Sequence, residues 1–307
     1  MELIIHHRDD ISYVELVGRL DADGVEEMEQ PFSEATTARG LPTVVDISGI
    51  AFMSSLGIGF LFAQTKKLKK AGCKLVLLNP QGMVESVLKT SKMNKVMPLI
   101  YDLEEAIRTV GGDPTIGVAA SPAAKSTATA SPKEAPSNSA PPETPPNILK
   151  VRITNEMSEL EGLYAKVNQF LIGHKTPYRS GYAMNLAVEE LVVNVIRYAY
   201  VEDDPQPIDI GVGIIDEQLI LEIRDSGRPF DPREAPPHDP DVEDLEVGGL
   251  GLTLVLDLVD ALTYRREDNK NHVQVCIQLR ADEDGELWTV SPVPANAGGE
   301  PTPNSEE

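Results

Sequence analysis

Tyr182-Ala-Met-Asn-Leu-Ala-Val-Glu189-Glu190-Leu-Val-Val-Asn194-Val-Ile-Arg197-Tyr198-Ala-Tyr200 is the stretch on which the fold turns. Its residues are helix formers or apolar. Met184, Leu186, Ala187, Val188, Leu191, Val192, Val193, Val195 and Ile196 run almost all round a helix, so the segment is predicted to be mostly buried. Glu190 and Asn194 stand four apart and share a face, whereas Glu189, five residues from Asn194, points elsewhere. Burying a carboxylate and an amide is costly unless they bind something, and a metal-bridged phosphate would satisfy both. The other reading is a partly exposed polar stripe continued by Arg197.

Downstream, Ile208–Ile215 and Gln218–Arg224 form a hairpin pattern around Asp216-Glu217, and the second strand runs into Asp225-Ser226-Gly227-Arg228-Pro229-Phe230-Asp231. An aspartate at a strand end beside glycine can accept from a planar amine while the backbone approaches the ring; alone, Asp-Ser-Gly is a turn. Residues 232–247, rich in proline and acids, read as disorder or a lid. Then Gly248-Gly249-Leu250-Gly251 opens a helix with Leu252, Val255, Leu256 and Val259 on one face, leaving backbone N–H groups free for an anion. No Walker loop and no His-Arg-Asp or Asp-Phe-Gly occurs, and a Rossmann reading lacks the preceding strand and the third glycine.

The order of these four elements resembles the Bergerat ATP-binding fold (GHKL, or HATPase) of gyrase, heat-shock chaperone, histidine-kinase and mismatch-repair ATPases, over about residues 148–281. The Glu190–Tyr200 and Pro229–Pro232 runs look most like the anti-sigma-factor serine kinases. The resemblance implies ATP and Mg²⁺ as cofactors. It makes Asn194 the Mg²⁺ ligand, Asp225 the acceptor for the adenine amino group, and Glu190 the general base toward an attacking hydroxyl. Gly227, Gly248, Gly249 and Gly251 would shape the pocket and phosphate loop. One departure is Asn271-His272-Val273-Gln274-Val275, which lacks a threonine that many relatives place near adenine.

Toward the N-terminus, residues 3–7 and 11–17 read as paired strands, Val25–Arg39 as an acidic helix, Thr43–Ile47 as a central strand, 55–71 as a helix and 74–78 as a further strand. This alternation predicts an α/β sheet with helices packed on it. In Asp46-Ile-Ser-Gly-Ile-Ala-Phe-Met-Ser54-Ser55-Leu-Gly-Ile-Gly59 a strand runs out and a helix begins near Ser55. Ser54 or Ser55 is then an N-cap, or it is a phosphoacceptor where the helix dipole and orphan donors favour an anion. The pattern Asp46-x-Ser48-x-Ile50-x-Phe52-Met53-x-Ser55-x-Gly57 resembles the STAS domain of bacterial anti-sigma-factor antagonists over residues 1–110. That resemblance makes Ser55 the residue phosphorylated by a partner kinase. Ser54 stands where aspartate is usual, which leaves it as the alternative acceptor, and Leu56 stands where a second serine or threonine is usual. Lys66, Lys67, Lys69 and Lys70 read as a solvated last turn or as a docking patch for the acidic second half.

The remaining composition bounds the rest. The chain has 307 residues and net charge −22, a field that repels phosphate backbones and anionic lipid heads; direct nucleic-acid and membrane binding are not expected. Residues 111–147 carry eight prolines and eight alanines without an aromatic residue and read as a flexible linker, and 282–307 reads as an acidic disordered tail with Trp288 and Val290 its only hint of packing. Cys73 and Cys276 and the five histidines show no metal or disulfide spacing. No apolar run is long enough for a membrane span and no signal-peptide pattern follows Met1, so a bacterial cytoplasmic protein is expected.

The expected architecture is therefore α/β and α+β: a STAS-type sheet with helices, a flexible linker, then a Bergerat α/β sandwich. The combined resemblance implies a partner-switching regulator of transcription, an ATP-Mg²⁺-dependent serine kinase fused to its kind of phosphoacceptor domain. Its partners would be a sigma factor, STAS or anti-sigma proteins, and its own STAS domain in cis or trans; a homodimer is left open. The alternative is a non-catalytic ATP-binding scaffold that sequesters such partners. A sensor histidine-kinase fragment with His174 as acceptor lacks room for dimerisation helices.

Overall fold

The computed structural model describes residues 1–116, 147–201, 204–234, 249–281 and 285–289, with the backbone of 119–120. The lid or disorder expected at 232–247 lies outside them beyond Glu234, as do residues 121–146 of the expected linker and the tail from residue 290 onward.

The first domain is one sheet in the order β5-β4-β3-β2-β1-β6, built from β1 (Glu2–His7), β2 (Ser12–Leu20), β3 (Thr43–Met53), β4 (Leu75–Leu78), β5 (Leu99–Ile100) and β6 (Ala119–Ala120). Strands β2 to β5 pair in parallel and β1 pairs antiparallel with β2. β3 is buried at every position but Ser48, as a central strand covered on both faces must be. It runs to Met53, well past the expected Ile47. α1 (Ala22–Ala35) starts three residues earlier than the periodicity predicts because Asp21 caps it, its Oδ1 accepting from the Gly24 amide at 3.1 Å. α2 (Ser55–Lys70), α3 (Gly82–Thr90) and α4 (Leu103–Val110) complete the layers.

The start of the expected linker is stapled to this domain. The buried Arg8 guanidinium donates to the carbonyls of Asp113 and Ile116, both at 2.6 Å, and β6 pairs with β1.

The second domain is an antiparallel sheet in the order β10-β11-β9-β8-β7, formed by β7 (Ile148–Thr154), β8 (Pro207–Ile215), β9 (Gln218–Asp225), β10 (Ala261–Glu267) and β11 (Lys270–Gln278). Asp216-Glu217 and Asp268-Asn269 all take positive φ between 49° and 60°, the left-handed pair that two-residue hairpins demand. Burial alternates along β8, β9 and β11, so one face meets α5 (Leu160–Gly173), α6 (Tyr178–Asn194) and α7 (Leu250–Leu258). α6 is buried from Ser180 to Val193 without a break, as its all-round apolar sequence requires.

Residues 285–289, placed by composition in the tail, pack on this domain. Trp288 is buried; its amide donates to the Thr176 carbonyl at 2.7 Å and its Nε1 to Asn168 Oδ1 at 2.8 Å.

The two domains share a continuous apolar core that runs from the first sheet through α6 into the second, with α7 packed against α2 and α3. The C-terminal end of β3 and the start of α2 meet α6 there. A Cβ on Gly57 would lie 2.2 Å from the Leu20 carbonyl oxygen, so the α2 start approaches β2 only because that residue is glycine. Gly57→Ala is expected to destabilise the chain by about 1–3 kcal/mol. Gly162→Ala, in α5 with open space around it, should stabilise by about 0.5–1 kcal/mol. Thermal unfolding followed by circular dichroism checks both.

Candidate active site

The end of α6 carries the polar residues that its apolar body positions. Glu190 is buried, and both its oxygens are used across the domain junction: Oε2 accepts from Ser55 Oγ at 2.7 Å and Oε1 from the Ser55 amide at 2.9 Å. The first turn of α2 leaves its N–H groups without helical partners, and a carboxylate there gains from the helix dipole as well. Ser54 takes the N-cap position, its Oγ accepting from the Gly57 amide at 3.4 Å. The two serines are thereby distinguished: Ser54 caps its own helix and its hydroxyl also bears on Glu189, whereas Ser55 presents its hydroxyl to Glu190. Burial raises the Glu190 pKa above its ordinary value, while the two Ser55 hydrogen bonds and the charge of Arg197 pull it back.

The structure gives Glu190 and Asn194 different surroundings. They lie on one side of α6, but Glu190 is engaged by Ser55 and only Asn194 lines the neighbouring cavity. Among the described residues no cluster of three or more His, Cys, Asp or Glu is placed to hold a metal.

That cavity, of about 150 Å³, is walled mainly by apolar side chains, with Asn194, Tyr198, Asp225, Phe230, Asn271 and Val273 around it. Asp225 ends β9 and is buried; its Oδ1 accepts from the Gly227 amide at 2.8 Å and from Asn271 Nδ2 at 2.9 Å. Burial raises its pKa; the bonds from Asn271 and Gly227 and the charge of Arg266 oppose that. Gly227 is glycine for a steric reason: a Cβ would sit 2.4 Å from that of Ala199, in the π-helical turn Val195–Ala199 that follows α6.

At the other end of the site, Gly249 caps α7 with φ 103°, and Gly251 faces the Ser55–Glu190 pair. A Cβ on Gly251 would lie 1.8 Å from Glu190 Oε2 and 2.9 Å from Ser55 Oγ. Gly248 lies outside the described residues. Asp225, Asn194, Gly227, Gly251, Glu190 and Ser55 are thus brought along one side of α6 and its π turn.

Two groups in this region carry no role in the sequence reading. Asn271 figures there only as an absent threonine. It is the register neighbour of Asp225 on β11, also donates to the Arg228 carbonyl at 3.0 Å, and is itself held by Arg266 at 2.6 Å and Tyr264 at 2.9 Å. Glu189 does point away from Asn194, as expected, and what it points at is the first domain: Oε1 accepts from the Ala22 amide at 3.1 Å, while Oε2 is buried without a partner.

Comparison with known proteins places the two halves separately. Residues 2–106 match the STAS domain, and residues 153–277 match the histidine kinase-like ATPase domain. The chain is 30% identical over 97 residues to the serine/threonine-protein kinase BtrW of Bordetella bronchiseptica, which is 31% of this chain and 68% of that one. It is 35% identical over 89 residues to the serine-protein kinase RsbW of Oceanobacillus iheyensis, 27% of this chain and 56% of that one. An anti-sigma F factor antagonist of Lysinibacillus sphaericus is 28% identical over 102 residues, 32% of this chain and 85% of the antagonist. The chain therefore spans little more than half the length of the second of these kinases.

The Glu189 pKa is raised well above 4.5, first by burial and then by the charges of Asp21 and Glu190, with Arg19 and the Ser54 hydroxyl opposing; the Tyr164 phenol lies near the same carboxylates. A carboxyl with a raised pKa stabilises the folded, docked chain fully below its ordinary value and loses that contribution as the pH climbs through the raised one. Stability is thus expected to fall as the pH rises above the ordinary carboxylate range, and Glu189→Gln should flatten that slope and raise the melting temperature on its alkaline side by roughly 2–4 °C. Thermal melts across the pH range check it.

Proposed function

The chain belongs to the STAS family over residues 2–106 and to the histidine kinase-like ATPase family over residues 153–277, and from that premise we propose that it is a partner-switching regulator whose second domain phosphorylates Ser55 of its first. The observation that carries this reading is the contact between Ser55 Oγ and Glu190 Oε2 at 2.7 Å. A hydroxyl that is to become an ester oxygen needs a base within hydrogen-bond reach, and Glu190 is there with a raised proton affinity.

The site residues fit a nucleotide. The cavity beside α6 is apolar with one buried carboxylate, Asp225, able to accept from an exocyclic amine, and Asn194 offers a side-chain oxygen between that cavity and Glu190. The α7 start closes directly on the Ser55–Glu190 pair: a Cβ on Gly251 would meet Glu190 Oε2 at 1.8 Å and Ser55 Oγ at 2.9 Å, so only glycine brings that backbone beside the Ser55 hydroxyl. Bound ATP with Mg²⁺ would supply the phosphoryl group and neutralise its charge during transfer. Asn194 would ligate the cation, Asp225 and Asn271 would fix the base, and Gly249 and Gly251 would admit the phosphates. Glu190 Oε2 would take the Ser55 proton, and Ser54, committed to capping α2, would stay unmodified.

The phosphate added to Ser55 carries about −1.5 to −2 charges at pH 7. It would face Glu190, with Glu189 and Asp21 nearby. Repulsion would release the first domain, which is the switch. The freed surfaces would then be open to a sigma factor or to a second STAS or anti-sigma protein, in the bacterial cytoplasm.

Incubation of the full chain with Mg-ATP, followed by phosphosite mapping, is expected to place phosphate on Ser55 at a rate independent of protein concentration, as transfer within one chain requires. Ser55→Ala should abolish the label, and Glu190→Gln should slow it about 10²–10⁴-fold with ATP binding retained. Mixing Glu190→Gln acceptor chains with Ser55→Ala donor chains measures transfer between chains. ATP binding with no transfer in any arm would establish the scaffold reading instead.

A further inference from the structure

The first turns of α6 carry two tyrosines whose hydroxyls reach into the other domain. Tyr178 Oη donates to the Ala51 carbonyl at 2.9 Å. Tyr182 Oη donates to the Met53 carbonyl at 2.8 Å and accepts from the Met53 amide at 3.3 Å. The spacing matches on both sides: four residues of helix rise about 6 Å and two residues of strand about 6.6 Å, so the helical pair 178/182 meets the strand pair 51/53 in step. Every one of these bonds falls on a main-chain atom, which any strand presents whatever its side chains. Ser55 follows Met53 by two residues.

The ring of Tyr182 is fully buried and lies 4.9 Å, centroid to centroid, from that of Phe52. Tyr178 is braced from behind by the C-terminal segment, Trp288 stacking on it at 5.6 Å. Trp288 occupies the space beside Gly181, where a Cβ would come within 2.5 Å of its Cγ, and is tied down by its bonds to Thr176 and Asn168. A residue far outside the nucleotide cavity thus supports the helix face that meets the acceptor strand.

We propose that Tyr178 and Tyr182 are positioning residues that grip the β3 main chain and set the register of Ser55 against Glu190, and that the segment around Trp288 locks them in place. The surface they make fits a strand leading into a helix N-terminus, and its occupant is this chain's own first domain. The kinetic arm of the test rests on the phosphotransfer reading above; the structural arm does not.

Tyr182→Phe keeps the ring and removes the hydroxyl, leaving the Met53 N–H and C=O buried without partners. Hydrogen exchange of the full-length variant is expected to speed up about tenfold or more in the peptide covering residues 51–57. Tyr178→Phe and Trp288→Phe should accelerate the same peptide less, and β8 and β9 should not change. Transfer to Ser55 should fall about tenfold in Tyr182→Phe while the calorimetric Kd for Mg-ATP stays as in the parent. Unchanged exchange at 51–57 in both tyrosine variants overturns the proposal. So does acceleration spread evenly through the second domain, which would mark Tyr182 as core packing alone, or faster exchange at 51–57 with transfer unaltered. If the parent chain transfers no phosphate, the kinase reading fails while the exchange data still judge the tyrosines.

Discussion

A carboxylate taken out of water must find donors, and Glu190 finds both of its donors on one residue of another domain. Removing a charge from solvent costs several kcal/mol unless hydrogen bonds replace the lost hydration. The Ser55 amide and hydroxyl do so at 2.9 and 2.7 Å. For that to be possible the serine must sit at N1 of α2, where its amide has no helical acceptor, and another residue must cap the helix. Ser54 does. The backbone must also come close on both sides, which is why glycine occupies 57, against Leu20, and 251, against the Ser55–Glu190 pair itself. Four sequence features that look independent answer to one electrostatic demand.

α6 serves as the ruler along which this demand is met. Its N-terminal turns hold the β3 main chain through Tyr178 and Tyr182, its last turn holds Ser55 and Ala22 through Glu190 and Glu189, and Asn194 closes it beside the cavity. The helix then widens into a π turn, a device common at functional sites, and the Ala199 carbonyl freed there accepts from the Arg228 amide at 2.8 Å. The cavity and the Glu190 carboxylate that holds Ser55 are therefore carried by one helix. A ligand that shifts the end of α6 also shifts the docking face, and by linkage docking alters ligand affinity in equal measure.

Much of this was legible in the amino-acid sequence, for reasons that differ by residue. Period-two strands around Asp216-Glu217, the all-round apolar run of 182–196 and the Ser54-Ser55 turn are local signals, and local chemistry decides them. The start of α1 was misread because an Asp21 cap outweighs the weak helix preference of Asp23 and Gly24. Asn271 could not be read as a partner of Asp225 until strand register made them neighbours forty-six positions apart. Tyr182 and Glu189 were opaque for a deeper reason. An interface buried between two domains of one chain has the composition of a core, so the periodicity that marks them as inward-facing does not say which domain they face. Trp288 sits beyond an acidic boundary, and only Gly181, a hole of the right size, gives its packing away.

The junction also joins surfaces that repel. Asp21, Asp23, Glu189 and Glu190 lie near one another there, in a chain of net charge −22, and burial raises the pKa of Asp23 as well as of the two glutamates. Arg19, paired with Asp21 at 2.8 Å, and Arg197 are the cations that bear on this cluster among the described residues. Hydrophobic contact does not depend on charge, so the apolar surface around Tyr182, Phe52 and Leu250 can hold the domains together against this field. The electrostatic cost grows with each charge added inside a low-dielectric contact while the apolar area stays fixed. On the reading proposed above, a phosphate on Ser55 would add a further one to two negative charges to this contact.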